Sequence, residues 1–169
     1  VLSGTVPKGI CGSGLIDLIA VLRRLGLIDE TGRLLTSAEA EELFLETSQD
    51  PSQSTETDLR FPGAEQLKSH LTDLHDMPAF LPDPAYPSVY LTQKDIREVQ
   101  LAKGAISAGI LLLEKALGIN HDQVGQVYIA GAFGNYMDPA SACAMGLLPG
   151  ALSDRIRPIG NAAGEGAKI

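Results

Sequence analysis

The sequence predicts an α/β fold, and three observations carry that expectation. Short strand candidates alternate with helical patterns along the chain. The strand candidate at 124–130 is mostly apolar, as suits a parallel strand buried on both faces. Three glycine-rich turns, GICGSG, GAFGNY and GNAAGEG, stand beside helix starts, the last two directly after strand candidates.

The elements follow in order. Ser13 is a candidate N-cap for a first helix whose Leu15, Ile16, Leu18, Ile19, Leu22 and Leu25 recur at helical spacing, with Gly26 as its stop. LIDETGRLL reads as two short extended pieces around a turn at Gly32. Thr36 and Glu39 have capping-box spacing and open a helix to about Glu46. Residues 47–62 are rich in Ser, Thr and Gln and read as a surface loop, dispensable for the core. A weak helix is expected over 64–75, then an irregular or extended proline-rich stretch, MPAFLPDPAYP. A short strand at 89–91 precedes Thr92 and Asp95, a second capping box that opens the longest helix, 93–117. Its expected core stripe is Ile96, Val99, Ala102 or Lys103, Ile106, Ile110, Leu113 and Leu117. Gly104, Ala105, Ala108 and Gly109 make one part of it thin-walled, suited to close packing or to a ligand. Gly118 ends it, and the strand at 124–130 follows. Asp138 and Pro139 cap and start a helix to about Met145, and 155–159 forms the last strand.

Composition bounds the function. The 169 residues are 44% hydrophobic, enough for a core, and the net charge of −8 argues against a broad nucleic-acid surface. Cys11 and Cys143 form no C-x-x-C and read as small buried thiols, so no metal site is expected within the chain. His70, His75 and His121 lack ligand spacing and read as solvated surface. No signal peptide is visible and no apolar run approaches the ~20 residues that span a bilayer, which favours a cytoplasmic protein without membrane partners. The first residue is Val, and the opening VLSGTVPKGI reads like a segment of a longer protein.

Glycine-rich turns at helix starts combine exposed N–H donors, the positive end of a helix dipole and backbone that a ligand can approach closely. In α/β sheets ligands bind at the carboxyl ends of strands. Three such turns together point to a nucleotide. GICGSGLID carries no Lys-Ser or Lys-Thr after its glycines and so is no P-loop. A G-x-G-x-x-G pattern from Gly12 would need glycine where Asp17 stands.

GICGSGLID, LTQKDIREVQLAKGAISAGI, VYIAGAFGNYMDP, GLLP and GNAAGEGA resemble, in this order, the reductive activators of corrinoid proteins. Those belong to the superfamily of acetate and sugar kinases, heat-shock chaperones and actin. The resemblance covers most of the chain except 47–87, and it implies a partial ribonuclease-H-like (actin-like ATPase) subdomain, 1–169, with an irregular insertion or loop region at 47–87. It implies an ATPase that drives Co(II) corrinoid proteins to Co(I) in methyl-transfer metabolism. The implied cofactors are ATP or ADP with Mg²⁺ and, in a separate upstream domain, a 2Fe–2S cluster. The implied partners are a corrinoid protein and a low-potential electron donor, with a homodimer left open.

The candidate nucleotide-binding residues under this resemblance are Gly12, Ser13 and Gly14; Gly131, Ala132, Phe133, Gly134 and Asn135; and Gly160, Asn161 and Gly164. Gly131 and Gly134 would correspond to the adenosine motif. The two Asp-Gly phosphate loops of the superfamily do not occur here, so no catalytic residue is assigned and the chain alone is not expected to be active. Dehydratase activators carry a cluster cysteine, but matching their G-T-G to Gly12-Ser13-Gly14 puts Gly9, not Cys11, at its place. Two other readings stay open: a non-catalytic regulatory or interaction module of this fold, and a small-molecule kinase of the superfamily.

Overall fold

The computed structural model describes residues 6–49, 67–75 and 77–169, with the side chains of 45–49, 132 and 133 excepted. The chain divides into two compact units, one of Val1–Ile10 with Val21–Glu98, the other of Cys11–Ala20 with Val99–Ile169.

The first unit takes the end of helix α1 (Gly12–Arg24). Gly26, at φ +74°, stops it as expected: Gly26 N–H donates to Arg23 O and Leu27 N–H reaches back to Leu22 O. Ile28 and Leu34 then pair across the expected turn at Gly32. The Thr36–Glu39 capping box forms in full. Thr36 N–H donates to Glu39 Oε2 at 2.9 Å, and Glu39 N–H to Thr36 Oγ1 at 3.3 Å. It opens α2 (Ser37–Gln49), which runs past Glu46 into the polar tract; the rest of that tract, 50–62, lies outside the described residues. Leu22, Leu27, Leu34, Leu91 and Ile96 are almost wholly buried here.

Of the helix expected at 64–75, residues 64–66 lie outside the described residues, 67–70 are helical, and the part from Leu71 on is β-structure instead. Beyond a 3₁₀ turn at Lys68–His70, β1 (Leu71–Leu74) pairs antiparallel with β2 (Met77–Phe80), Leu71 opposite Phe80. β3 (Leu91–Thr92) adds to β2 with Phe80 opposite Leu91. Tertiary pairing here overrides a weak helical pattern. His70 is drawn in with it: its Nδ1 lies 2.6 Å from Leu81 O and its ring stacks on Phe80. It is therefore a structural histidine rather than solvated surface.

Helix α3 (Gln93–Leu117) has the expected bounds, and its Thr92–Asp95 box is made by Thr92 N–H to Asp95 Oδ2 at 2.8 Å and Asp95 N–H to Thr92 Oγ1 at 3.3 Å. The expected stripe holds only in part. Ile96 is buried, but Ile106, Leu113 and Leu117 are 45%, 65% and 69% exposed, and the residue buried near the end of the helix is Glu114. Glu114 bonds His121 Nδ1, so His121 too is structural rather than solvated.

The rest of the second unit centres on a two-stranded parallel sheet, β4 (Val127–Ile129) beside β5 (Ile156–Pro158), Val127 opposite Ile156. The strand expected over 124–130 is thus shorter, and Tyr128 is 60% exposed rather than buried. Arg155 Nη1 donates to the carbonyls of His121, Asp122 and Val124, which ties the approach to β4 to the start of β5. Short helices follow both strands: α4 (Ala132–Tyr136), α5 (Pro139–Ala144) and α6 (Ala162–Gly166). Asp138 caps α5 by accepting from Ala140 N–H and Ser141 N–H, as its sequence implied. Those donors, Ala140 N–H foremost, hold its carboxyl below the usual range.

Candidate functional site

Two of the three glycine turns meet. Each leaves the carboxyl end of one strand of the parallel pair, and Gly131 N–H donates to Gly160 O at 2.6 Å. Both glycines have positive φ, +94° and +67°, a conformation that side chains with a Cβ rarely adopt. Their surroundings differ. Among the described residues, chain neighbours aside, no atom lies within 4 Å of where a Cβ on Gly131 would stand, so its backbone can be approached from that side. A Cβ on Gly160 would lie 3.6 Å from Asn135 Oδ1 and 3.8 Å from Nδ2. The Asn135 carboxamide therefore packs against Gly160.

Gly134 and Gly164 answer to packing. A Cβ on Gly134 would stand 2.4 Å from Ile129 Cγ2, so its small size lets α4 lie on β4. A Cβ on Gly164 would stand 2.3 Å from Asn161 Nδ2, and Asn161 needs that space to cap α6, its Oδ1 accepting from Gly164 N–H at 3.1 Å. Ala132 and Phe133 belong to α4, and their side chains lie outside the described residues.

The third turn, Gly12 to Gly14, keeps the hydrogen bonds described for it to itself. α1 begins at Gly12, one residue before the expected cap at Ser13, and Cys11 does the capping instead. Leu15 N–H donates to Cys11 O at 2.8 Å, and Gly14 N–H lies 3.4 Å from Cys11 Sγ. Ser13 becomes a buried residue of the first turn, its Oγ 3.4 Å from the same sulfur. Neither cysteine is fully buried as the composition suggested: Cys11 is exposed and Cys143 half-buried. The Ser13 hydroxyl and then the Gly14 N–H lower the Cys11 thiol, whereas burial and then the Asp138 charge push the Cys143 thiol up. One turn further along α1, Asp17 Oδ1 is buried without a hydrogen-bond partner among the described residues. Spacing alone could mark Asp17 only as lying off the apolar stripe.

A groove of about 200 Å³ opens elsewhere in the second unit, lined by Ile110, Leu113, Leu117, Val127 and Leu152 with Glu114. It is smaller than the roughly 300–1,000 Å³ of typical small-molecule sites. None of its lining residues comes from the three glycine turns. Among the described residues no group of three or more His, Cys, Asp or Glu is arranged to hold a metal ion. No helix among them is long and apolar enough to cross a membrane.

A family described as the C-terminal domain of RACo, the ASKHA domain, matches residues 1–59 and 80–169. The chain belongs to this family. It is an ASKHA domain, the actin-like ATPase fold, built of mixed α and β elements. Across its whole length the chain is 34% identical to the corrinoid activation enzyme RamQ of Eubacterium limosum, of which it covers 26%. A 64-residue stretch, 38% of the chain, is 36% identical to the [Co(II) methylated amine-specific corrinoid protein] reductase of Methanosarcina barkeri and covers 12% of it. Among solved structures, a reductive activator for a corrinoid, iron-sulfur protein superposes with a TM-score of 0.72 at 28% identity, over 99% of this chain and 23% of that one. This ASKHA domain thus spans about a quarter of the length of the two proteins it matches end to end.

Proposed function

We propose that this ASKHA domain forms the nucleoside side of the ATP site in an activator that reduces Co(II) corrinoid proteins to Co(I). The observation that carries the reading is the end-to-end likeness, at 34% identity, to a corrinoid activation enzyme. The turn pair supports it from the residues: Gly131 offers approachable backbone at the end of β4, Gly160 closes on it, and the uncharged Asn135 amide stands beside Gly160. These features suit a nucleoside, and Ser13 with its two flanking glycines is the third group assigned to the site. When bound, ATP supplies the free energy of its hydrolysis. The residues here bind and orient its nucleoside end.

Mg²⁺ and the phosphates fall to polypeptide beyond these turns, and a 2Fe–2S cluster to a ferredoxin-like domain of the longer protein. That cluster, with a low-potential donor, would supply the one-electron chemistry that takes Co(II) to Co(I). The expected setting is the cytoplasm, with a corrinoid protein of methyl-transfer metabolism as partner, without nucleic acid or membrane, and with a homodimer compatible. Nucleotide can favour one arrangement of the longer protein only through differential affinity for it. The test follows cobalt oxidation state by visible absorbance with the full-length protein, its corrinoid partner and a low-potential donor. Reduction should be faster with ATP than with ADP or no nucleotide; equal rates in all three would rule out the ATP-coupled role.

A further inference from the structure

The parallel pair that carries two of the glycine turns is short and weakly pinned by its own residues. β4 and β5 have three residues each, and of these only Ile156 is buried. Burial of one whole face is what usually fixes a strand's register, and little of it is present here. Pro158 also has no N–H to give the ladder. At their carboxyl ends the strands are closed by Ile159 N–H to Ile129 O at 3.0 Å and by Gly131 N–H to Gly160 O at 2.6 Å. At their amino ends stands Arg155. Its Nη1 donates to His121 O and Asp122 O, both at 3.1 Å, and to Val124 O at 2.8 Å. Those acceptors lie 31 to 34 residues away in the chain, whereas Arg157 Nη1 bonds carbonyls within three residues of itself. The carbonyls belong to the end of the 3₁₀ turn His121–Gln123, whose start is fixed by Asn120. Asn120 Oδ1 accepts from Asp122 N–H, and Asn120 N–H donates to Gln123 Oε1. A rigid turn before β4 is thus clamped to the start of β5, although the joint between turn and β4 includes Gly125, the residue type with the freest backbone.

Resting on the nucleotide reading above, we propose that Arg155 is a positioning residue for the nucleotide site. By locking β4 against β5 at their amino ends, it holds the Gly131–Gly160 closure at the other ends in the arrangement that receives the ligand. It acts through the two strands and not on the ligand, because its donors are spent on carbonyls about 10 Å along the strands from both turns. Without the clamp the two strands are free to shift along each other, and the closed turn pair becomes one arrangement among several. Apparent affinity then falls by the fraction of molecules that hold the competent arrangement.

The experiment is calorimetric titration of the full-length protein and its Arg155→Met, Arg155→Gln and Arg155→Lys variants with ADP. Thermal melts accompany it, with hydrogen exchange of the nucleotide-free proteins over 127–136 and 156–164. Arg155→Met keeps the apolar stem and removes every donor. It should bind ADP about three- to tenfold more weakly, as when the competent arrangement drops to between a third and a tenth of the molecules, and both turns should exchange faster. Arg155→Lys restores a charged donor head and should recover most of the affinity and of the protection. Arg155→Gln is too short to span the three carbonyls, so it should fall between the two, and it serves if the methionine variant folds poorly. An arginine that only supports the fold would lower the melting midpoint and leave ADP affinity and turn exchange of the folded variants at wild-type values. That result overturns this inference alone, as does a lysine variant that recovers neither property. A wild type that binds no ADP overturns the nucleotide reading and this inference together.

Discussion

At the residue scale, two glycines of one motif do different things. Gly134 is small because Ile129 stands where its Cβ would go, while Gly131 has a positive φ and, among the described residues, meets nothing beyond its chain neighbours there. Gly134→Ala should therefore cost fold stability, about 1–3 kcal/mol of overpacking, read as a lower midpoint in urea. Gly131→Val should weaken ADP binding more than stability: a branched side chain would block the approach to the backbone, while its strain at φ +94° also lowers the melting midpoint. Calorimetry and a melt separate the two effects, and an unchanged ADP affinity in folded Gly131→Val would take Gly131 out of the site. Asp29 gives a pH prediction. The Thr31 hydroxyl at 2.6 Å, the Arg33 N–H at 3.0 Å and the Thr31 N–H at 2.8 Å hold its carboxyl at about 2. A carboxylate depressed in the folded state stabilises fully above its unfolded value of about 3.9 and loses that contribution as pH falls through about 2. Asn at position 29 should flatten that part of the acid-unfolding curve; curves that superpose between pH 4 and 2 would count against the Asp29 network.

At the element scale, the capping boxes were legible because they are local. Thr36–Glu39 and Thr92–Asp95 each need only four consecutive residues, and both formed at the expected helix starts. Thr36→Ala or Thr92→Ala should each cost about 1 kcal/mol, measured by chemical denaturation. The faces of α3 were not legible. Leu111, Leu112 and Leu113 are consecutive, so they point to three sides of the helix, and all three are more than half exposed. Periodicity picks one stripe and cannot say that apolar residues on other faces stand open. Such a surface should bind an apolar fluorescent dye. Leu112→Lys should reduce that fluorescence while moving the melting midpoint little; undiminished fluorescence would show that the dye sits elsewhere.

At the scale of the molecule, the chain is an ASKHA domain that covers about a quarter of its end-to-end relatives. Phosphoryl transfer needs Mg²⁺ and groups placed around the γ-phosphate. The sequence contains neither Asp-Gly phosphate loop, so the chain by itself should hydrolyse ATP negligibly. A phosphate-release assay on the purified chain tests this, and robust Mg²⁺-dependent turnover would refute it.

What the sequence determined by itself was whatever depends on neighbours a few residues apart. Helix starts at Thr36 and Thr92, stops at Gly26 and Gly118, the Asp138 cap and the ordered motifs that mark the family are all of this kind. Tertiary structure alone decided what depends on partners distant in the chain. It turned Leu71–Leu74 into a strand, because Phe80 and its neighbours supply the pairing. It drew His70 to Leu81 O, and it moved the first cap from Ser13 to Cys11 by starting the helix two residues earlier. It also divided the labour of the glycines. A missing Cβ looks the same in every glycine of a sequence, and only the atom that would have met it tells close packing from open backbone.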